Sequence, residues 1–202
     1  MSQIQFEKEA VTPSKVVCVG RNYVAHIHEL QNQIPGELVL FIKPNTSISE
    51  TLICPEENCR YETEITFVMK DGRFAGMGIG LDLTLVDVQN RLKSKSLPWE
   101  KAKAFDASAV FSHFVPVPES LENLSLALKI NGELRQKGGV AEMIYKPEAI
   151  LTETQQHFTL QDGDLLMTGT PKGVGTLVKG DTFEVALFDG DSEVLTHTWQ
   201  VQ

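Results

Sequence analysis

Three carboxylates fall where two apolar strands leave little room for charge. Residues 65–69 are apolar or β-branched and read as a strand, entered through Tyr61-Glu62-Thr63-Glu64. Asp71-Gly72 then supplies a hairpin signal. The return run from Ala75 to Leu85 is apolar and glycine-rich, and Asp82 interrupts it. Positions i and i+2 of a strand face one side, so Glu62 and Glu64 share a face. Either that face is solvated, or a cation lies between the two carboxylates. A hard divalent ion held by oxygen ligands, Mg²⁺ or Mn²⁺, answers the second case. Asp82 in its apolar run needs compensation of the same kind.

The remaining pattern is strand-dominated. Val16–Gly20, Leu38–Ile42, 126–131, 134–137, 165–168 and 182–188 read as strands, with Asn131-Gly132 a second hairpin signal. Residues 84–95 predict the main helix, capped by Thr84 or Asp82, with Leu85, Val88 and Leu92 on its apolar face. Helical turns are expected at 23–31, near 98–102, at 140–145 and at 147–156. The class is α+β with mixed or antiparallel sheets, because the strand–helix alternation of a doubly wound fold is missing. At 202 residues the chain suits one domain, 1–202.

A formal charge of −9 without a basic block argues against nucleic acid and against an anionic membrane surface. No apolar stretch approaches the ~18 residues of a membrane span. Three cysteines (Cys18, Cys54, Cys59), with no signal peptide, point to a reducing, cytoplasmic setting. Cys18 reads as a small core residue, and no zinc pattern surrounds the others.

Two glycine-rich segments invite a nucleotide reading and do not support it. Gly76-Met77-Gly78-Ile79-Gly80 lies inside a strand pattern, where glycines let another backbone or a ligand come close. Thr168–Gly175 lacks the Gly-Lys-Ser/Thr ending of a P-loop; it is either a structural turn or a loop facing an anion. His26 and Glu29, three apart, share a face of a helical turn. They are either a solvated surface pair or a general base whose basicity the carboxylate raises. His113, His157 and His197 read as isolated.

Several segments agree, in order, with one family. They are Gly20-Arg21-Asn22-Tyr23 with His26 and Glu29; Phe41-Ile42-Lys43-Pro44; Tyr61-Glu62-Thr63-Glu64; Asp82-Leu83-Thr84 with Asp87-Val88-Gln89; Leu97-Pro98-Trp99 with Ala102-Lys103-Ala104-Phe105; Asn131–Gln136; and Thr168–Gly175. The chain resembles the fumarylacetoacetate hydrolase superfamily, in particular its small acylpyruvases and oxaloacetate decarboxylases/tautomerases. The resemblance implies a β-rich fold with mixed sheets rolled around a central metal site. It implies Mg²⁺, or Mn²⁺ or Ca²⁺, on Glu62, Glu64 and Asp82. It further implies Lys103 as a charge stabiliser, His26 and Glu29 as the catalytic dyad on a lid, and substrate contacts from Arg21, Lys43, Gln89 and Thr170. A homodimer and a small 2-oxo acid substrate complete the expectation. One position departs: the resemblance implies an arginine between Thr84 and Asp87, and this chain has Val86.

The implied chemistry is C–C hydrolysis of acylpyruvates, oxaloacetate decarboxylation or keto–enol tautomerisation, all sharing an enolate. Two alternatives stand beside it. One is an isomerase or decarboxylase acting on a larger unsaturated 2-oxo diacid. The other is a metal-containing keto-acid binder without turnover.

Overall fold

The hairpin that carries the acidic residues is the spine of the molecule. The structure, a computed structural model, describes residues 1–202. Strand Thr63–Lys70 pairs antiparallel with Arg73–Asp82 across Asp71 and Gly72, both at positive φ as the tight turn requires. These two strands lie at the centre of an eight-stranded mixed sheet. On one side of the hairpin come Leu165–Met167, then Lys15–Gly20 (parallel to it), then the edge strand Val39–Pro44. On the other side come Ala109–Phe111 and the short Ile48–Ser49. A four-stranded antiparallel sheet, ordered Glu133–Gly139, Leu124–Ile130, Thr182–Asp189 and Ser192–Gln200, covers one face.

Period-2 alternation divides the central strand between two cores. Ile65 and Phe67 join Met77, Ile79 and Leu81 in a 26-residue cluster with Leu126, Leu128, Phe183, Val185 and Trp199 of the second sheet. Val68, with Val16, Cys18, Leu165 and Met167, belongs to a second cluster. Thus Thr63–Met69 is buried throughout, and any charge on this strand is costly.

Gly76, Gly78 and Gly80 let aromatic side chains come close, and Gly78 also lets the His113 backbone carbonyl approach, to 3.0 Å from where a Cβ would stand. A Cβ at these positions would lie 2.7–2.9 Å from Phe6, Phe114 and Phe111 respectively. The main helix is Val86–Ser94, preceded by a two-residue strand, Thr84–Leu85. Neither Thr84 nor Asp82 caps it: Leu85 is the N-cap, the Thr84 hydroxyl is buried without a partner, and the Asp82 carboxylate faces two lysines. The demand for charge compensation at Asp82 outweighs the modest gain of a cap. His113 and His197 are not isolated either. Their ring centroids lie 6.2 Å apart, because Ser192–Gln200, which showed no clear strand signal, brings His197 there.

The parallel strands Lys15–Gly20 and Leu165–Met167 are held at their start by Asp164, which is fully buried. Its carboxylate accepts hydrogen bonds from Ser14 N (2.9 Å), Ser14 Oγ (2.6 Å), Lys15 N (3.1 Å) and Gln161 N (2.9 Å), and it pairs with the Lys15 ammonium. Burial pushes the Asp164 pKa up, but the Lys15 and Ser14 hydrogen bonds outweigh it and hold it below 3.8. A depressed carboxylate contributes stability that is complete above its unfolded pKa and is lost as pH falls through the folded one. Asp164→Asn is therefore expected to cost about 3 kcal/mol at pH 7. Urea unfolding should show that gap closing as pH drops below 3.8; a gap independent of pH would contradict this account.

Candidate active site

Strand register brings the three acids together. Thr63 pairs with Leu81, so Glu62 stands opposite Asp82, and the Asp82 N–H donates to the Glu62 carbonyl at 2.8 Å. Glu64, two residues on, faces the same way, opposite Gly80. All three carboxylates are buried, at 6%, 1% and 1% exposure. Each offers an oxygen within 4.8 Å of the others. Two ligands of one hard cation at about 2.0–2.6 Å each can lie up to about 4–5 Å apart, so the set fits a divalent ion. Asp82 Oδ1 is buried and has no backbone or hydroxyl donor against it, only the Lys43 ammonium at 2.8 Å.

Two lysines counter this charge. The Lys103 ammonium donates to Glu62 Oε2 (2.8 Å) and Asp82 Oδ2 (2.6 Å). Lys103 comes from the short helix Glu100–Lys103, and its ammonium lies 5.1 Å from the Phe41 ring centroid. Lys43 is completely buried, with its ammonium 2.8 Å from Asp82 Oδ1 and donating to the carbonyls of Leu83, Ser108 and Lys103. Those contacts use its donors. The ammonium thus holds Asp82 and three chain segments and has nothing left for a substrate.

The electrostatics separate the three acids. Burial pushes the Glu62 pKa up, but Lys103 and Arg60 outweigh it and hold it far below the carboxylate range. Glu64 is driven well above 4.5 by burial and by the charges of Asp82 and Glu62. Only the Gly169 N–H, at 2.7 Å from Glu64 Oε2, and the charge of Lys103 oppose this. Gly169 has a φ of +92°, and a Cβ there would lie 2.8 Å from the Asn22 Cβ, so the donor depends on glycine. Lys103 is raised above its usual value: burial lowers it, and Asp82 with Glu62 outweighs that burial.

Helix Val24–Glu29 carries His26 and Glu29 over the site. His26 Nδ1 lies 3.2 Å from Glu29 Oε2, and the His26 charge reaches Glu62. Glu29 Oε1 accepts the Gly173 N–H at 3.0 Å, tying this helix to the 168–175 loop. The Thr170 hydroxyl donates to Thr63 O (2.9 Å) and accepts from Gln136 Nε2 (2.8 Å), so it braces the strand beside Glu62. Gln89 Oε1 accepts from Arg60 Nη2 at 3.4 Å. Arg21, half-buried and at φ +60°, reaches Asn32 Oδ1 at 3.4 Å.

Four functional neighbours escaped the sequence reading. Gln136 accepts the Thr63 N–H and donates to Thr170 and Pro171, while Asn22 binds the Thr168 and Tyr145 backbone. Arg60 donates to Glu62 Oε1 at 2.9 Å. The period-2 rule that joined Glu62 to Glu64 also puts Arg60 on that face, and could have found it. Lys93 lies over Trp99, 5.1 Å from its centroid; burial, then Arg21, Arg60 and Lys103, push it down to about 8. A cavity of about 840 Å³ opens beside Lys103, lined by Val39, Phe41, Pro98, Trp99 and Phe158 among others.

Mixed sheets around a buried acid triad whose oxygens lie close enough to share one ion define the class of fold and site. The chain belongs to the fumarylacetoacetate hydrolase family: the family's C-terminal model matches residues 15–198. An oxaloacetate tautomerase of Escherichia coli strain K12, YcgM, is 42% identical over 89% of this chain and 90% of its own length. A crystal structure from Oleispira antarctica matches all of both chains with a TM-score of 0.94 at 37% identity. Fumarylpyruvate hydrolase from Pseudomonas aeruginosa, solved with Mn²⁺ and pyruvate, matches with a TM-score of 0.89 at 26% identity, covering 99% of this chain and 95% of that one.

Proposed function

We propose that this protein is a divalent-cation-dependent enzyme of 2-oxo acids, whose principal reaction is enol–keto tautomerisation of oxaloacetate. The observation that carries this reading is the buried Glu62–Glu64–Asp82 triad with Lys103 against it. The similarity to an oxaloacetate tautomerase supports the choice of substrate. Glu62, Glu64 and Asp82 would hold the ion, with Mg²⁺ as the resident and Mn²⁺ or Ca²⁺ as substitutes. When bound, it supplies Lewis-acid polarisation of the 2-oxo group.

The chain's own residues supply the rest. Tautomerisation takes a proton from the enol oxygen on C2 and puts one on C3, the other carbon of the enol double bond, and leaves the atom count unchanged. His26, oriented by Glu29, is the proton carrier. Lys103 places positive charge where the enolate oxygen develops negative charge. Lys43 acts through Asp82 by fixing its carboxylate, and Thr170 with Gln136 fixes the strand that presents Glu62. Arg21 and Gln89 would contact the substrate. A homodimer, with a small 2-oxo acid as the only ligand partner and neither nucleic acid nor membrane, belongs to the same reading. No helix is long and apolar enough to cross a membrane.

Hydrolysis of acylpyruvates is the second reading, favoured by the likeness to fumarylpyruvate hydrolase. There the His26–Glu29 pair would take a proton from water, hydroxide would add to the distal acyl carbonyl, and pyruvate enolate would leave. A panel of oxaloacetate, acetylpyruvate and fumarylpyruvate separates the two. Decay of the oxaloacetate enol absorbance should be accelerated by the protein, lose that acceleration in EDTA and recover with Mg²⁺ or Mn²⁺. Acceleration that survives complete metal removal would overturn the proposal.

A further inference from the structure

Around the triad, the cations are unequally committed. Lys43 has all three ammonium donors on carbonyls, and Lys103 has two of its three on carboxylates. Arg60 is less committed. Its Nε donates to Glu62 Oε1 and one Nη2 hydrogen reaches Gln89 Oε1, which leaves three of the five guanidinium N–H groups without a protein acceptor. The side chain is 14% exposed, so those donors sit in a largely desolvated place. Glu62 and Gln89 clamp the guanidinium from two sides and fix its plane, which preorganises it for a bidentate carboxylate contact. Lys93, without a carboxylate partner, adds to the positive field on this side of the site, as does Arg21.

The local strand pairing explains why this arginine matters. Cys59–Tyr61 pairs antiparallel with Thr84–Leu85, Cys59 opposite Leu85 and Arg60 opposite Thr84. The Val86 N–H continues the ladder to the Asn58 carbonyl at 2.9 Å. Residue 86, the first of the helix, lies two positions beyond Thr84, the partner of residue 60, so the two positions are near neighbours. Val86 offers no charge there, and Arg60 is the guanidinium that the chain supplies.

We propose that Arg60 is a specificity-determining residue that binds the substrate carboxylate remote from the 2-oxo group, so that the site selects 2-oxo dicarboxylates over 2-oxo monocarboxylates. This deepens the 2-oxo acid reading and rests on it. Lys93 strengthens the same subsite, and Val86 marks the place from which a second arginine would reach it.

The experiment is titration calorimetry of the Mn²⁺-loaded protein with oxaloacetate and, separately, pyruvate. The quantity read is the ratio of the two dissociation constants, because losing the Arg60–Glu62 contact disturbs both ligands alike and cancels. Arg60→Gln should cut the preference for oxaloacetate about tenfold or more. Arg60→Gln combined with Val86→Arg should recover most of it. A ratio unchanged in Arg60→Gln, or a double variant no better than the single one, overturns the assignment and leaves Arg60 as a partner of Glu62 alone. Failure of the underlying reading looks different, since the wild-type protein would then bind neither ligand in the presence of Mn²⁺.

Discussion

Glu64→Gln is expected to stabilise the metal-free protein by about 1–3 kcal/mol while lowering oxaloacetate turnover on the order of 10³-fold. The two effects share one cause. Glu64 is 1% exposed, faces Asp82 and Glu62, and has no lysine of its own. Its carboxylate is therefore pushed well above 4.5. A carboxylate with a raised folded pKa weakens the fold above that pKa, and stability returns as pH falls through it towards the unfolded value. Gln keeps an acceptor for the Gly169 N–H, keeps the shape and removes the charge. In EDTA, the variant should melt higher than the wild type at pH 8, with the difference shrinking as pH falls towards 4.5. The same variant should lose most of the stabilisation that Mn²⁺ gives the wild type, because a ligand charge is gone. A variant less stable than wild type in EDTA would show that the triad is held by something other than a shared cation.

Lys103→Met is expected to act in the opposite sense on stability. It removes the ammonium that bridges Glu62 and Asp82 and leaves three buried carboxylates with only Arg60, on Glu62, and Lys43, on Asp82, against them. Breaking one side of a buried pair costs about 3–5 kcal/mol. Met preserves most of the volume and the packing near Phe41, so a loss of that size reports charge. In saturating Mn²⁺ much of the loss should be recovered, since the cation takes over the compensation. Catalysis should not recover with it. Loss of a preorganised positive charge beside the developing enolate lowers kcat by about 10²–10³. Thermal melts with and without Mn²⁺, read beside kcat, test both parts. Activity near wild type in Mn²⁺ would reduce Lys103 to a structural counter-ion.

Much of this site could be read from local pattern. The alternation rule placed Glu62 and Glu64 on one face, and the hairpin signal at Asp71-Gly72 set Asp82 on the partner strand, where register puts it opposite Glu62. The same reasoning stopped short at Arg60, which obeys the same alternation, because an arginine on a strand next to carboxylates reads as an ordinary surface pair until its burial is known. Lys43 and Thr170 were expected at the substrate. Their side chains brace Asp82 and the Thr63 backbone, contacts made across 39 and 107 residues of sequence that no local window contains. Ser192–Gln200 failed to read as a strand because polar and exposed residues interrupt its apolar ones. It forms one because Thr182–Asp189 offers it a complete ladder of partners.

The order of residues alone settled which groups could meet: strand period and turn chemistry act over two to ten neighbours, and they commit three acids to one face of one hairpin. Which cations would answer those acids, and which would be left free for a ligand, was decided only when distant segments packed. Lys43, Lys103 and Arg60 arrive on separate elements, and only three-dimensional proximity and exclusion of water fix how strongly each charge is felt and by whom.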